Sequence, residues 1–344
     1  MAATPSPWVR IPRPPREALS GVGFGRSEET GPTPSAHRAK RDLRSPWDSG
    51  GAKRRVPRPP REARLEARVN GVDSPAAGPY VSVVPDYLDV DEQPTCWREA
   101  GTASQVSVFL HGLGGSRISW GPQLEPLSAQ RRIVAWDAPG YGVSAPISET
   151  TFAAYAERAA DLIRTVSPDV PVDLVGLSFG GMIAQYTAAR YPELVRSLTL
   201  MCTSPAFGLD GTDPQQWRDA RLSGLEHFGS PGAAAPAILG SLVGPNGAHV
   251  VPEAVEAMQR IPMQGLLDAI STITTHDTRA ILPTIDVPTL VLVGSADDET
   301  PITYAQAIVD LMPDARLHVI DGAGHLLNLE APDAVNEAVL AHWA

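Results

Sequence analysis

The chain has 344 residues, of which 43% are hydrophobic, and it carries a formal net charge of −11. That length admits one large domain or two small ones. The acidic balance argues against a nucleic-acid-binding surface, which needs clustered positive charge to neutralise phosphates.

The charge is unevenly placed. Residues 1–70 hold 15 Lys and Arg against 7 Asp and Glu, while residues 71–344 hold 13 against 32. The basic part contains "RIPRPPREA" at residues 10–18 and a near copy, "RVPRPPREA", at residues 55–63. Pro, Arg, Gly and Ser dominate residues 1–78 and no apolar periodicity persists, so this leader is predicted to be disordered. It reads as an appendage without function or, in the functional alternative, as a Pro-rich ligand or basic arm. Its partner is unknown.

From residue 79 the pattern changes. Strands are predicted in "YVSVVPDYLDV", "TCWREAG", "QVSVFLHG", "RRIVAWD", "VDLVGLS", "SLTLMCT", "TLVLVGSAD" and "RLHVID". Helices are predicted in "WGPQLEPLSAQ", "TFAAYAERAADLIRTV", "FGGMIAQYTAARY", "ITYAQAIVDLM" and "APDAVNEAVLAHW". Short apolar strands alternating with amphipathic helices indicate a mostly parallel sheet covered on both faces. Residues 207–277 break the rhythm with helix-like pieces only, such as "PQQWRDARLSGLEHF", "GAAAPAILGSLVG" and "PEAVEAMQRI". The expected organisation is therefore an α/β core over residues 79–206 and 278–344, with a helical cap, or lid, at 207–277.

Ser178 stands in "GLSFGG", between a buried strand and a helix. A G-x-S-x-G at such a turn projects the hydroxyl from the sheet edge, and the small residues let strand and helix backbones pass closely. Free N–H groups at the helix start suit an oxyanion, and they include that of Phe179. A serine nucleophile needs a base. Of eight histidines, His325 in "DGAGHLLNLEAPDAV" combines a loop after the last strand with flanking glycines. The orienting carboxylate falls in "SADDET", where Asp297 and Asp298 are both candidates. The loop "HGLGGS" at residues 111–116 allows close backbone approach, so an N–H near Leu113 can meet the same oxyanion as that of Phe179.

The motifs "HGLGG", "WDAPGYGVS", "GLSFGGM" and the pair "GSADDETP" with "GAGHLLNLEAP" resemble, in that order, those of the α/β-hydrolase family. Within it they are most similar to enol-lactone hydrolases of the 3-oxoadipate type and to small carboxylesterases. The resemblance implies the α/β-hydrolase fold, with a mostly parallel eight-stranded sheet. Its "GxxDxxTP" pattern falls on Asp297, its histidine on His325, its nucleophile on Ser178 and its oxyanion donors on Leu113 and Phe179. The "DAPGYGVS" loop is read as structural. Ser178 argues against the dehalogenase and epoxide-hydrolase branches, which carry aspartate there.

The expected function is a serine esterase or lactonase acting on a small-molecule substrate, with no cofactor and no metal. Alternatives are a cofactor-free haloperoxidase or perhydrolase, a carbon–carbon hydrolase, and a ligand-binding receptor on the same scaffold. Trp120 and Trp217 are candidate pocket residues, with core packing as the alternative for each. Cys96 and Cys202 lack metal-site spacing and read as inert buried thiols. No run of 18 apolar residues is present to cross a bilayer and no membrane partner is expected. The N-terminus lacks the apolar stretch of a secretory signal, so the expected location is cytoplasmic.

Overall fold

A computed structural model describes residues 87–344, so the leader, its repeated motif and the start of the first expected strand lie outside the described residues. Eight strands form one sheet: β1 (Leu88–Val90), β2 (Trp97–Ala100), β3 (Val106–Leu110), β4 (Arg132–Trp136), β5 (Val172–Leu177), β6 (Val195–Met201), β7 (Thr289–Gly294) and β8 (Ala315–Ile320). Their order in the sheet is β1-β2-β4-β3-β5-β6-β7-β8. The β2 strand pairs antiparallel with both neighbours, and every other pairing is parallel. This is the α/β-hydrolase fold expected from the sequence.

The helices are α1 (Gly121–Leu127), α2 (Phe152–Val166), α3 (Phe179–Arg190), α4 (Pro214–Phe228), α5 (Pro231–Gly240), α6 (Val251–Gln259), α7 (Met263–Ile273), α8 (Ile302–Leu311), α9 (Leu327–Glu330) and α10 (Pro332–Trp343). All five residues of β3 are buried. Strand side chains alternate between the two faces of a sheet. Val106, Val108 and Leu110 accordingly join the core under α2 and α3, whereas Phe109 joins the core formed with α1 and α10. Covering both faces explains why the inner strands β3, β5 and β7 are nearly continuous apolar runs, each buried throughout. Trp120 lies fully buried in the second core, edge-on to Phe109 with ring centroids 5.0 Å apart. Packing accounts for it. Trp217 is nearly buried, packed edge-on against Phe207 and under the guanidinium of Arg221.

Asp173, at the N-terminal end of β5, is fully buried and organises that edge of the sheet. Its carboxylate accepts hydrogen bonds from Arg131 (3.1 Å), Arg196 and Ser197 (2.6 Å). A buried carboxylate is tolerable only when paired and hydrogen-bonded in this way.

Four helices, α4 to α7, are inserted between β6 and β7. An antiparallel bridge between Ala206 and Asp277 closes the base of the insertion. No helix among the described residues is long and apolar enough to cross a membrane.

Candidate active site

The turn from β5 into α3 places Ser178 at the C-terminal edge of the sheet, with φ 52° and ψ −114°. Such a backbone conformation costs a non-glycine residue on the order of 1–3 kcal/mol, so its surroundings must hold it. They do so through three bonds. The Ser178 N–H donates to the carbonyl of Met201 (2.8 Å), and its own carbonyl accepts from the Met182 N–H (3.0 Å) and the Thr203 hydroxyl (2.8 Å). The flanking glycines are sterically required. A Cβ on Gly176 would strike the backbone of Gly180, and one on Gly180 would strike the carbonyl of Leu110.

His325 follows β8 and is buried, as is Asp297 in the loop after β7. The Oγ of Ser178 lies 2.9 Å from Nε2 of His325, and Nδ1 of His325 lies 3.0 Å from Oδ2 of Asp297. With Nδ1–H donating to the carboxylate, Nε2 is left to accept a proton from the serine. The turn that follows Asp297 fixes its carboxylate. Oδ1 accepts the N–H groups of Glu299 and Thr300, each at 2.9 Å, and Oδ2 accepts the Thr300 hydroxyl at 2.8 Å. The same hydroxyl is 3.3 Å from Nδ1 of His325. Asp298 is exposed, one position along this turn.

Burial opposes charge on His325, but the Asp297 carboxylate and its hydrogen bond outweigh burial and raise the imidazole's pKa. Burial likewise opposes the charge on Asp297. The histidine and the hydrogen bonds to its carboxylate win, and its pKa is lowered. Each partner is thus pulled toward its charged form by the other.

The "HGLGGS" loop passes directly beside the serine. A Cβ built on Gly112 would lie 3.3 Å from Cβ of Ser178. The Gly115 N–H closes a turn onto the Gly112 carbonyl at 3.0 Å. Phe179 is the first residue of α3, so its N–H has no acceptor one turn back within the helix. The loop is held on two sides by residues whose role sequence reading did not identify. His111, fully buried, accepts the Ala138 N–H at Nε2 (3.0 Å), so its Nδ1–H donates to the Gly112 carbonyl (2.8 Å). Burial lowers the pKa of His111, in keeping with the neutral ring that this pairing needs. Tyr141, in "DAPGYG", donates its hydroxyl to the carbonyl of Leu113 at 3.0 Å.

Cys202 comes closer to the site than its reading as an inert thiol foresaw. Its sulfur, a carboxylate oxygen of Asp297 and a ring nitrogen of His325 lie within 4.8 Å of one another. A metal would need the thiolate, whereas burial followed by the Asp297 charge pushes this thiol's pKa well up. Asp297 and His325 also already face each other, so the three groups do not form a convincing metal site.

Residues 108–338 match the model of the alpha/beta hydrolase family. Pimeloyl-[acyl-carrier protein] methyl ester esterase of Chromobacterium violaceum is 31% identical over 236 residues, covering 63% of this chain and 86% of that protein. The 3-oxoadipate enol-lactonase 1 of Acinetobacter baylyi is 28% identical over 229 residues, covering 66% of this chain and 84% of that protein. A solved hydrolase from Pseudomonas aeruginosa superposes with a TM-score of 0.67 at 26% identity, covering 76% of this chain and 99% of the other. Fold order, elbow and family match agree: the chain belongs to the alpha/beta hydrolase family.

Proposed function

We propose that the protein is a serine hydrolase that cleaves a carboxylic ester or lactone through an acyl-enzyme on Ser178. The observation that carries this reading is the unbroken relay from Ser178 Oγ to His325 Nε2 (2.9 Å) and from His325 Nδ1 to Asp297 Oδ2 (3.0 Å). Ester and lactone relatives support the substrate class.

In this mechanism His325 removes the proton of Ser178 as its oxygen adds to the substrate carbonyl. The tetrahedral oxyanion is held by the N–H groups of Phe179 and Leu113, each such donor lowering the barrier by roughly 2.7–4 kcal/mol. His325 then gives its proton to the leaving alkoxide. Water repeats the sequence, adding to the acyl-enzyme and releasing the acid and the free serine. Asp297 keeps the imidazole in the required tautomer throughout. The reaction so written uses no cofactor.

Residues 207–277 serve as the cap in this reading and set the acyl preference. Gly114 of the oxyanion loop supports it, since a Cβ there would lie 3.3 Å from Leu239 of α5 and 3.5 Å from the sulfur of Met258 of α6. Apolar cap side chains beside the oxyanion loop suit an apolar acyl group. Hydrolysis of p-nitrophenyl acetate, butyrate and octanoate, with Ser178→Ala in parallel, tests both points. The expected result is ester turnover that disappears in the variant and varies with chain length. A folded wild-type protein inert toward esters and lactones alike would refute the reading.

A further inference from the structure

Three successive amides hold the backbone that carries His325. The Gly324 N–H donates to Oε2 of Glu330 at 3.0 Å, the His325 N–H to the carbonyl of Leu242 at 2.8 Å, and the Leu326 N–H to Oε1 of Glu330 at 3.1 Å. Oε2 of Glu330 also accepts the N–H of Gly244 at 2.7 Å. Leu242 and Gly244 lie between α5 and α6, within the insertion. One carboxylate at the end of α9 therefore grips the chain on both sides of the histidine and a cap segment as well.

The contact is built for close approach. A Cβ on Gly244 would lie 2.6 Å from the Gly322 carbonyl oxygen and 2.9 Å from the Gly324 nitrogen. One on Gly247 would run into the Glu330 carboxylate, and one on Gly324 into the Gly244 nitrogen. Three N–H donors converge on Glu330. An ionised carboxylate is acceptor-only, with about four lone-pair sites, and can take all three, whereas an amide would turn its own N–H₂ toward one of them. Bonds of this charge-assisted kind are roughly twice as strong as neutral ones.

Given the assignment of His325 as general base, we infer that Glu330 is a positioning residue that locks the histidine loop to the cap segment 242–247. The cap then does more than line the substrate: it supplies the carbonyl of Leu242 that holds the base in line with Ser178. The carboxylates whose charge acts on the imidazole are Asp297, which bonds it, Glu299 in the same loop after β7, and Glu330 from α9; the thiol of Cys202 after β6 also lies within 4.8 Å of a ring nitrogen. Burial works against charge on the ring, and the three carboxylates, Asp297 foremost, work for it. Removing the Glu330 charge should therefore lower the pH at which His325 becomes a base, which a purely structural staple would not do.

The test is the rate at which a fluorophosphonate probe modifies Ser178, followed across pH in wild type, Glu330→Gln, Gly244→Ala and Ser178→Ala. Thermal melts verify that each variant is folded. The wild type is expected to label at Ser178 and Ser178→Ala not to label. Glu330→Gln should label about 10-fold more slowly or worse, as expected when a catalytic group is misplaced by a fraction of an ångström, and its pH midpoint should fall. Gly244→Ala keeps the charge and should slow labelling without moving the midpoint. A folded Glu330→Gln with either its rate or its midpoint unchanged overturns the inference, as does a wild-type rate in Gly244→Ala. Should wild type fail to label at Ser178, the catalytic assignment falls and this inference with it. Labelled wild type with unaltered variants overturns the inference alone.

Discussion

The hydroxyl of Tyr141 donates a hydrogen bond to the carbonyl of Leu113 at 3.0 Å, tying the loop after β4 to the loop beside Ser178. Burial raises the Tyr141 pKa well above its usual value, so the hydroxyl remains a donor at any working pH. That bond fixes the Leu113–Gly114 peptide, next to the Gly112–Leu113 peptide that carries the proposed oxyanion donor and whose carbonyl His111 holds. Tyr141→Phe keeps the ring in place and removes the donor. Loss of one neutral hydrogen bond is worth about 0.5–1.5 kcal/mol, so kcat is expected to fall roughly 2- to 12-fold, with KM little changed, in steady-state ester hydrolysis.

With His325 as the proposed general base, its titration sets the pH dependence. A general base must be neutral, and the pKa of this imidazole is raised above the usual value of 6.5. Activity, measured as kcat/KM, should therefore rise with pH through a midpoint above about 6.5. The stability linkage has its own sign. The raised His325 pKa contributes stability below the unfolded value that is lost as pH rises through the folded one. The lowered Asp297 pKa contributes stability above its unfolded value that is lost as pH falls. A pH–rate profile with a midpoint well below 6.5 would contradict the pairing.

The elbow tolerates no Cβ where its glycines stand. In Gly180→Ala the new methyl would strike the Leu110 carbonyl, a backbone atom with nowhere to move. Overpacking of this kind costs about 1–3 kcal/mol and occasionally more. An unfolding free energy from urea titration lowered by that amount, with ester turnover also reduced because Ser178 and Phe179 shift, is the expected outcome.

Asp173 offers the complementary test, because it sits at the opposite end of β5 from Ser178. Asp173→Ala strips a fully buried acceptor from Arg131, Arg196 and Ser197. Breaking a buried ion pair typically costs about 3–5 kcal/mol, measurable by chemical denaturation. Turnover per folded molecule is expected to stay near wild type.

Much of the fold could be read in the sequence because its signals are local. Eight β-rich runs, most of the later ones separated by helical patterns, prescribe a two-faced sheet without knowledge of any long-range contact. The strand–Ser178–helix sequence marks the elbow for the same reason. What could not be read depends on contacts made only after folding. Nothing in "SADDET" separates Asp297 from Asp298, and the choice rested on a family pattern. In the structure one side chain is buried beneath two backbone amides and Thr300, while its neighbour is exposed. Tyr141 meets Leu113 across 28 residues, and Glu330 meets Gly244 across 86. No spacing rule reaches that far. Trp120 illustrates the converse, since an aromatic residue near a site-bordering loop proves to be core against Phe109.

The most direct measurement is peptide mapping of the enzyme after acid quenching during steady-state turnover of p-nitrophenyl butyrate. The account expects a butyryl group on the peptide containing Ser178 and none in Ser178→Ala, whose turnover should fall by roughly 10⁴-fold or more. A butyryl group carried on another residue, or undiminished turnover by a folded Ser178→Ala, would contradict it.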